Sequence, residues 1–224
     1  MDKQIRTNSF TSQSIQTRLV VMEYTTLIVP GLDNSGSDHW QTWLETQLIQ
    51  VQRVNQKRWD EPDIASWSDN VSLAIQSATQ RVILVAHSFG VIASLVAASR
   101  TPDLVAGALL VAPADPSRFT ISGERINQDS QELQIGLYDL MPKSHPGFPT
   151  ILAASTNDYC MPFKRSAWWA KTWGSKLVSL GDAGHVNPAS GYGAWPHGAL
   201  LYQELISKAR SVDKIWNQLL RWAY

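Results

Sequence analysis

Residues 81–90 read Arg81-Val82-Ile83-Leu84-Val85-Ala86-His87-Ser88-Phe89-Gly90, and Val91-Ile92-Ala93-Ser94-Leu95-Val96-Ala97-Ala98 follows at once. The first run is apolar and β-branched, which reads as a strand buried on both faces. The second is small and apolar, which reads as a buried helix. Between them, Ser88 sits at the centre of a turn with small residues, Ala86 and Gly90, two positions to either side. Strand, sharp turn and helix is the setting that strains a serine outward. It lifts the Oγ to the top of a sheet with the next backbone N–H beside it. The usual pattern begins with Gly, and Ala86 adds one methyl group there without removing the steric requirement. The competing reading is a serine in an ordinary strand–helix turn of another doubly wound protein.

The rest of the chain supports a sheet around that strand. Thr25 to Val29 is an apolar run closed by Pro30-Gly31, and Val51 to Val54 is a second, shorter one. Ala106 to Val111, Thr150 to Ala154 and Lys176 to Leu180 complete six candidate strands. Helical spacing falls between them. Trp40, Trp43, Leu44 and Leu48 share one face, with Ser37 or Asp38 as the expected N-cap. Helices are also expected over Ile64–Ala78 and Phe163–Trp173, and as one or two C-terminal helices ending at Tyr224. Strands alternating with helices predict a three-layer α/β sandwich with a mostly parallel sheet. Residues 1–22 are polar and read as a flexible extension ahead of a single domain, 23–224. Residues 114–147 are irregular, with one short helix expected near Gln131, and are where a minimal lid or specificity segment belongs.

Composition narrows the function classes. The chain has 224 residues, with 19 acidic and 19 basic side chains and no basic stripe, so nucleic acid is not an expected partner. Cys160 is the only cysteine, which excludes an internal disulfide and fits a reducing compartment. No apolar run reaches the ~18–20 residues a membrane span needs. The first residues do not form a secretory signal, so a cytoplasmic location is expected. The single cysteine and scattered histidines suggest no zinc site, and neither metal nor cofactor is expected. The residues do not address oligomeric state.

A serine needs a general base within hydrogen-bond reach and an acid to orient that base. In a fold of this kind the order along the chain is Ser, acid, His. Asp158 follows the strand 150–154 and stands where the acid belongs, with an Asx turn or helix cap as its bland alternative. His185, in Gly181-Asp182-Ala183-Gly184-His185 past the last strand, is the expected base. Asp115, after the strand 106–111, is the alternative acid, whereas Asp182 is too close to His185 along the chain. Among other histidines, His87 should point away from Ser88, and His145 and His197 lie in other segments. His39, Trp40 and His87 are candidates to line a pocket, as are Trp43, Trp168 and Trp169. The amide of Phe89 is one expected oxyanion donor. The second is Leu32, or a neighbour one or two positions away, from the loop after the first strand.

These residues together resemble a known family. Ile28-Val29-Pro30-Gly31 with His39-Trp40, Val85 to Gly90, Ser155-Thr156-Asn157-Asp158 and Gly184-His185 are similar to the YdeN-like serine hydrolases. These are small α/β-hydrolases related to retinoblastoma-binding protein nine. The resemblance spans about residues 24–205 and implies an α/β-hydrolase-like fold with a minimal lid. It also implies a triad of Ser88, Asp158 and His185. The Leu-x-Cys-x-Glu segment associated with the retinoblastoma-binding member is absent, since Cys160 lies in Asp158-Tyr159-Cys160-Met161-Pro162. The function expected is a serine hydrolase that cleaves small ester-type acyl substrates through an acyl-serine intermediate. Acyl transfer by the same triad and a non-catalytic binding scaffold are the alternatives.

Overall fold

The computed structural model describes residues 23–126 and 136–222. Six strands form one sheet: β1 (Thr25–Val29), β2 (Val51–Arg53), β3 (Val82–His87), β4 (Val105–Val111), β5 (Thr150–Ala154) and β6 (Lys176–Ser179). Their order is β2-β1-β3-β4-β5-β6, and every neighbouring pair is parallel. Five helices cover the sheet: α1 (Trp40–Gln47), α2 (Ile64–Ser77), α3 (Phe89–Ala98), α4 (Phe163–Trp173) and α5 (Pro196–Trp222).

The central strands show why the sequence forms these layers. Along β3, Val82, Leu84 and Ala86 join α2, α3 and α4 in one core cluster, while Ile83 and Val85 join α1 and α5 in the other. Alternate side chains point to opposite faces of a strand. A strand buried on both faces therefore reads as continuous apolar sequence, as β1, β3, β4 and β5 all do. The α1 face carrying Trp40 and Leu44 shares the second cluster with Leu201 and Leu205 of α5. Trp67, Trp169 and Trp173 fill the first cluster.

One expectation changes. The N-cap of α1 is His39 rather than Ser37 or Asp38, because the helix starts at Trp40 and the His39 Nδ1 accepts from the Gln41 N–H at 3.1 Å. Ser37 instead donates to the neighbouring Asp38 carboxylate. The C-terminal segment is one continuous helix through Trp222. At the Ser88 turn, a Cβ on Gly90 would fall 2.4 Å from the carbonyl oxygens of both Val29 and Pro30, so the end of β1 excludes a side chain there. The expected helix near Gln131 and the 1–22 extension lie outside the described residues. No helix among the described residues is long and apolar enough to cross a membrane.

The strand order places the site. The chain passes from β1 outward to β2, then returns to β3 on the other side of β1. Parallel sheets open a crevice at the carboxyl ends of the strands where the order reverses in this way. Leu32 after β1 and Ser88 after β3 both line a cavity at that point.

Candidate active site

Ser88 is in the left-handed half of backbone space, at φ 54° and ψ −123°. Such a conformation is strained for a residue with a Cβ, typically by ~1–3 kcal/mol, and persists only where the surroundings impose it. Here the Ser88 N–H continues the sheet by donating to the Val111 carbonyl at 3.1 Å, while its carbonyl accepts from Val91 in the first turn of α3. Ser88 occupies the N-cap position of α3 without capping it. Its hydroxyl meets His185 Nε2 at 2.8 Å.

On the other side of the imidazole, His185 Nδ1 lies 2.9 Å from Asp158 Oδ1 and 3.0 Å from Oδ2. Both side chains are buried, with relative exposures of 6% and 4%. Burial works against the charged imidazolium, but hydrogen bonds to Asp158 and to Cys160 outweigh it. The pKa of His185 is raised to about 9. Ser88, His185 and Asp158, drawn from the ends of β3, β6 and β5, thus form one hydrogen-bonded line.

A set of polar side chains that sequence reading missed holds the His185 loop. The Ser155 Oγ accepts from the Ala183 N–H at 2.9 Å, and Asn157 Oδ1 accepts from the Gly184 N–H at 2.7 Å. Ser155 also donates to Asn157 Oδ1, tying the two together. The Ser190 Oγ accepts from the His185 N–H and donates to Asn157's counterpart in the next turn, Asn187. Val186 follows His185 with φ 49°, an outlier for a β-branched residue. The only sequence signal for this scaffold was the density of Ser and Asn around Asp158 and His185, which reads equally well as ordinary turn chemistry.

Among the described residues, the His87 side chain is held by the loop of His185 and makes no hydrogen bond to Ser88. Its Nε2–H donates to the backbone carbonyl of His185 at 2.9 Å. Burial, together with the nearby His185 and His39, drives its pKa well below the ordinary value, so the ring is neutral. His39 stacks edge-on against it at 4.8 Å and is itself lowered to about 4, by burial first and then by Arg53 and His185. Of the three adjacent imidazoles, His185 alone has its pKa raised.

Asp115 is committed elsewhere. It accepts from the Ser117 N–H and hydroxyl and pairs with Arg165, and none of its hydrogen bonds among the described residues reaches His185. His145 and His197 are likewise outside the cavity lining.

The cavity over Ser88 has a volume of about 540 Å³. Leu32, His39 and His87 line it, together with Phe119, Arg125 and Tyr159. Residues from the irregular 114–147 segment therefore form one wall, as expected of a specificity segment. Trp40 does not line it. At 1% exposure it is packed in the core below His39, edge-on to Trp195, because its position on α1 faces the sheet. Trp43 is also absent from the lining, and Trp168 and Trp169 border a separate cavity of about 800 Å³ with Tyr138 and Arg165. That larger cavity shares no lining residue with the one over Ser88 and contains none of the three aligned groups.

The loop after β1 and the start of α3 meet at Ser88. A Cβ on Gly31 would lie 2.7 Å from Ser88 Cβ and 3.3 Å from the Phe89 nitrogen, so the β1 loop rests directly on the turn. Phe89 opens α3, where first-turn N–H groups have no partner within the helix. Cys160, in the same lining, approaches the aligned groups. One ligand atom each from Asp158, Cys160 and His185 lies within 4.8 Å of the others. The scattering of Cys and His along the sequence hid this proximity.

Comparison with known proteins bears on the family and the fold. The model of the serine hydrolase family matches residues 26–204. The Bacillus subtilis protein YdeN, which carries the name of a hydrolase, is 25% identical over 186 residues, covering 80% of this chain and 93% of YdeN. The crystal structure of a YdeN-like protein from Pectobacterium atrosepticum has a TM-score of 0.73 at 34% identity. That match covers 84% of this chain and 92% of the other. Est1E of Butyrivibrio proteoclasticus, seen with ferulic acid bound, has a TM-score of 0.59 and covers 83% of this chain and 90% of its own. At 13% identity it bears on the fold alone.

Proposed function

The chain belongs to the serine hydrolase family, as a YdeN-like member of the α/β-hydrolase superfamily, and from that premise we propose that Ser88, His185 and Asp158 hydrolyse ester-type acyl substrates. The observation that carries this reading is the unbroken line from Ser88 Oγ through His185 to Asp158, at 2.8 and 2.9 Å. His185 accepts the proton of Ser88 at Nε2 while Oγ attacks the acyl carbonyl. Asp158 keeps the remaining imidazole proton on Nδ1 and stabilises the imidazolium that forms. The Phe89 and Leu32 amides receive the oxyanion; among the described residues neither N–H donates to a protein acceptor. His185 then protonates the leaving alcohol, and a water deprotonated by His185 cleaves the acyl-Ser88 ester. Because the amide donors belong to the backbone of the loop after β1 and the start of α3, they require no rearrangement as charge develops.

The 540 Å³ cavity favours small substrates, of the size that a pocket of ~300–1,000 Å³ encloses. Its wall mixes Leu32 and Phe119 with Arg125 and Asn187, which suits an acyl group carrying a polar substituent. The test is hydrolysis of p-nitrophenyl esters of rising acyl length. Saturable turnover that peaks at short chains and disappears in Ser88→Ala supports the reading. Equal turnover by Ser88→Ala rejects it.

A further inference from the structure

We infer that Asp158, Cys160 and His185 form an inhibitory zinc site, in which the ion takes the place of the proton between Asp158 and His185. The three residues supply a carboxylate, a thiol and an imidazole, with one ligand atom from each inside a 4.8 Å circle. Zinc sits ~2.0–2.3 Å from such ligands, which separates them by roughly 3.2–3.8 Å around a tetrahedron. Asp158 and His185 Nδ1 are 2.9 Å apart and need only open by a few tenths of an ångström. Cys160 is held close by its own backbone, whose N–H donates to Asp158 Oδ1 at 2.8 Å. Its side chain is half-buried on the cavity wall, so an ion can arrive through the substrate cavity, and a water from the cavity can complete the fourth position.

The donor set selects the ion. A thiolate with an imidazole favours zinc over magnesium or calcium, which prefer all-oxygen sites. Charge also balances, since one thiolate and one carboxylate neutralise a divalent cation in a buried setting. On binding, the Cys160 thiol proton leaves to solvent and the single proton of the neutral imidazole moves from Nδ1, where zinc binds, to Nε2, with no change of oxidation state. That proton then faces Ser88 Oγ. A nitrogen that already carries its proton cannot accept the serine's. Loss of turnover follows only if the three residues act as proposed above; zinc binding itself does not depend on that reading.

The test uses the full chain, stripped of metal with a chelator and titrated with zinc chloride by calorimetry in neutral buffer. A parallel titration with cobalt chloride reads the thiolate-to-cobalt charge-transfer band. One equivalent of zinc should bind, ester turnover should fall in step with occupancy, and EDTA should restore it. Cys160→Ser keeps the backbone N–H to Asp158 but should bind zinc ~100-fold or more weakly. Ser88→Ala should bind zinc as wild type does. The assignment is overturned by a wild type that binds no zinc below millimolar concentration, by equal binding in Cys160→Ser, or by zinc occupancy that leaves turnover intact. If Cys160→Ser does not fold, a cobalt complex of wild type without the charge-transfer band overturns it equally. Zinc binding with that band, in a chelated protein that turns over no ester, would instead refute the catalytic reading and leave the metal site standing.

Discussion

Gly31→Ala perturbs the point where the first strand's loop bears on the nucleophile turn. The new Cβ would stand 2.7 Å from Ser88 Cβ, 3.1 Å from the His87 carbonyl oxygen and 3.3 Å from the Phe89 nitrogen. Two carbons in ordinary contact are ~3.5–4.0 Å apart, so the loop and the turn must separate by about 0.8 Å. None of the three atoms is the free end of a flexible side chain, so a rotamer change cannot relieve the clash. Gly31 is not among the positive-φ glycines, so the effect is steric rather than conformational. Overpacking of this kind costs ~1–3 kcal/mol of stability. The same displacement moves the Leu32 amide away from Ser88, and a misplacement near 1 Å lowers turnover by ~10²-fold. Urea unfolding and p-nitrophenyl acetate hydrolysis read the two effects separately. Gly36→Ala is the stability control: its Cβ would meet nothing within 4 Å, so stability should stay within ~0.5 kcal/mol of wild type. Full turnover and unchanged stability in Gly31→Ala would refute the contact between β1 loop and turn, and with it the assignment of Leu32 as oxyanion donor.

Four further outcomes follow from the site. Since His185 must be neutral to accept the Ser88 proton and its pKa is raised to about 9, kcat/KM should climb with pH and level off near that value. The same raised pKa stabilises the fold fully below the unfolded value of ~6.5 and loses that contribution as pH rises through about 9, which chemical unfolding at several pH values will show. Asp158→Asn should lower kcat by ~10⁴-fold, as loss of the orienting acid does in serine protease triads, whereas Asp115→Asn should leave kcat near wild type. Asn157→Ala removes the acceptor of the Gly184 N–H and should cost ~0.5–1.5 kcal/mol of stability, measured by thermal unfolding, while the loosened His185 loop slows turnover.

The sheet was legible because β1, β3, β4 and β5 are buried on both faces and so appear as unbroken apolar runs ending at Gly, Pro or polar residues. The α4 boundaries were also readable, since Pro162 precedes the helix and Gly174, at φ 62°, ends it. The start of α1 was not. Ser37 and Asp38 are common caps, and nothing local distinguishes them from a histidine whose Nδ1 turns back onto the helix. Ser88, Asp158 and His185 could be named because each follows a strand end in the expected chain order. Trp40 was misplaced for the opposite reason: its position next to the β1 loop suggested the cavity, but the face of α1 that meets the sheet depends on packing with Trp195, far away in sequence. The Ser155 and Asn157 scaffold and the proximity of Cys160 to His185 likewise arise from tertiary contact across β5 and β6.

The central claim is that Ser88 is the nucleophile, and covalent trapping tests it most directly. The chain is incubated with a fluorophosphonate, and the modified residue is located by peptide mass spectrometry. A single adduct on the peptide containing Ser88, absent from Ser88→Ala and formed much more slowly in Asp158→Asn, is the predicted result. Equal labelling of wild type and Ser88→Ala would contradict it.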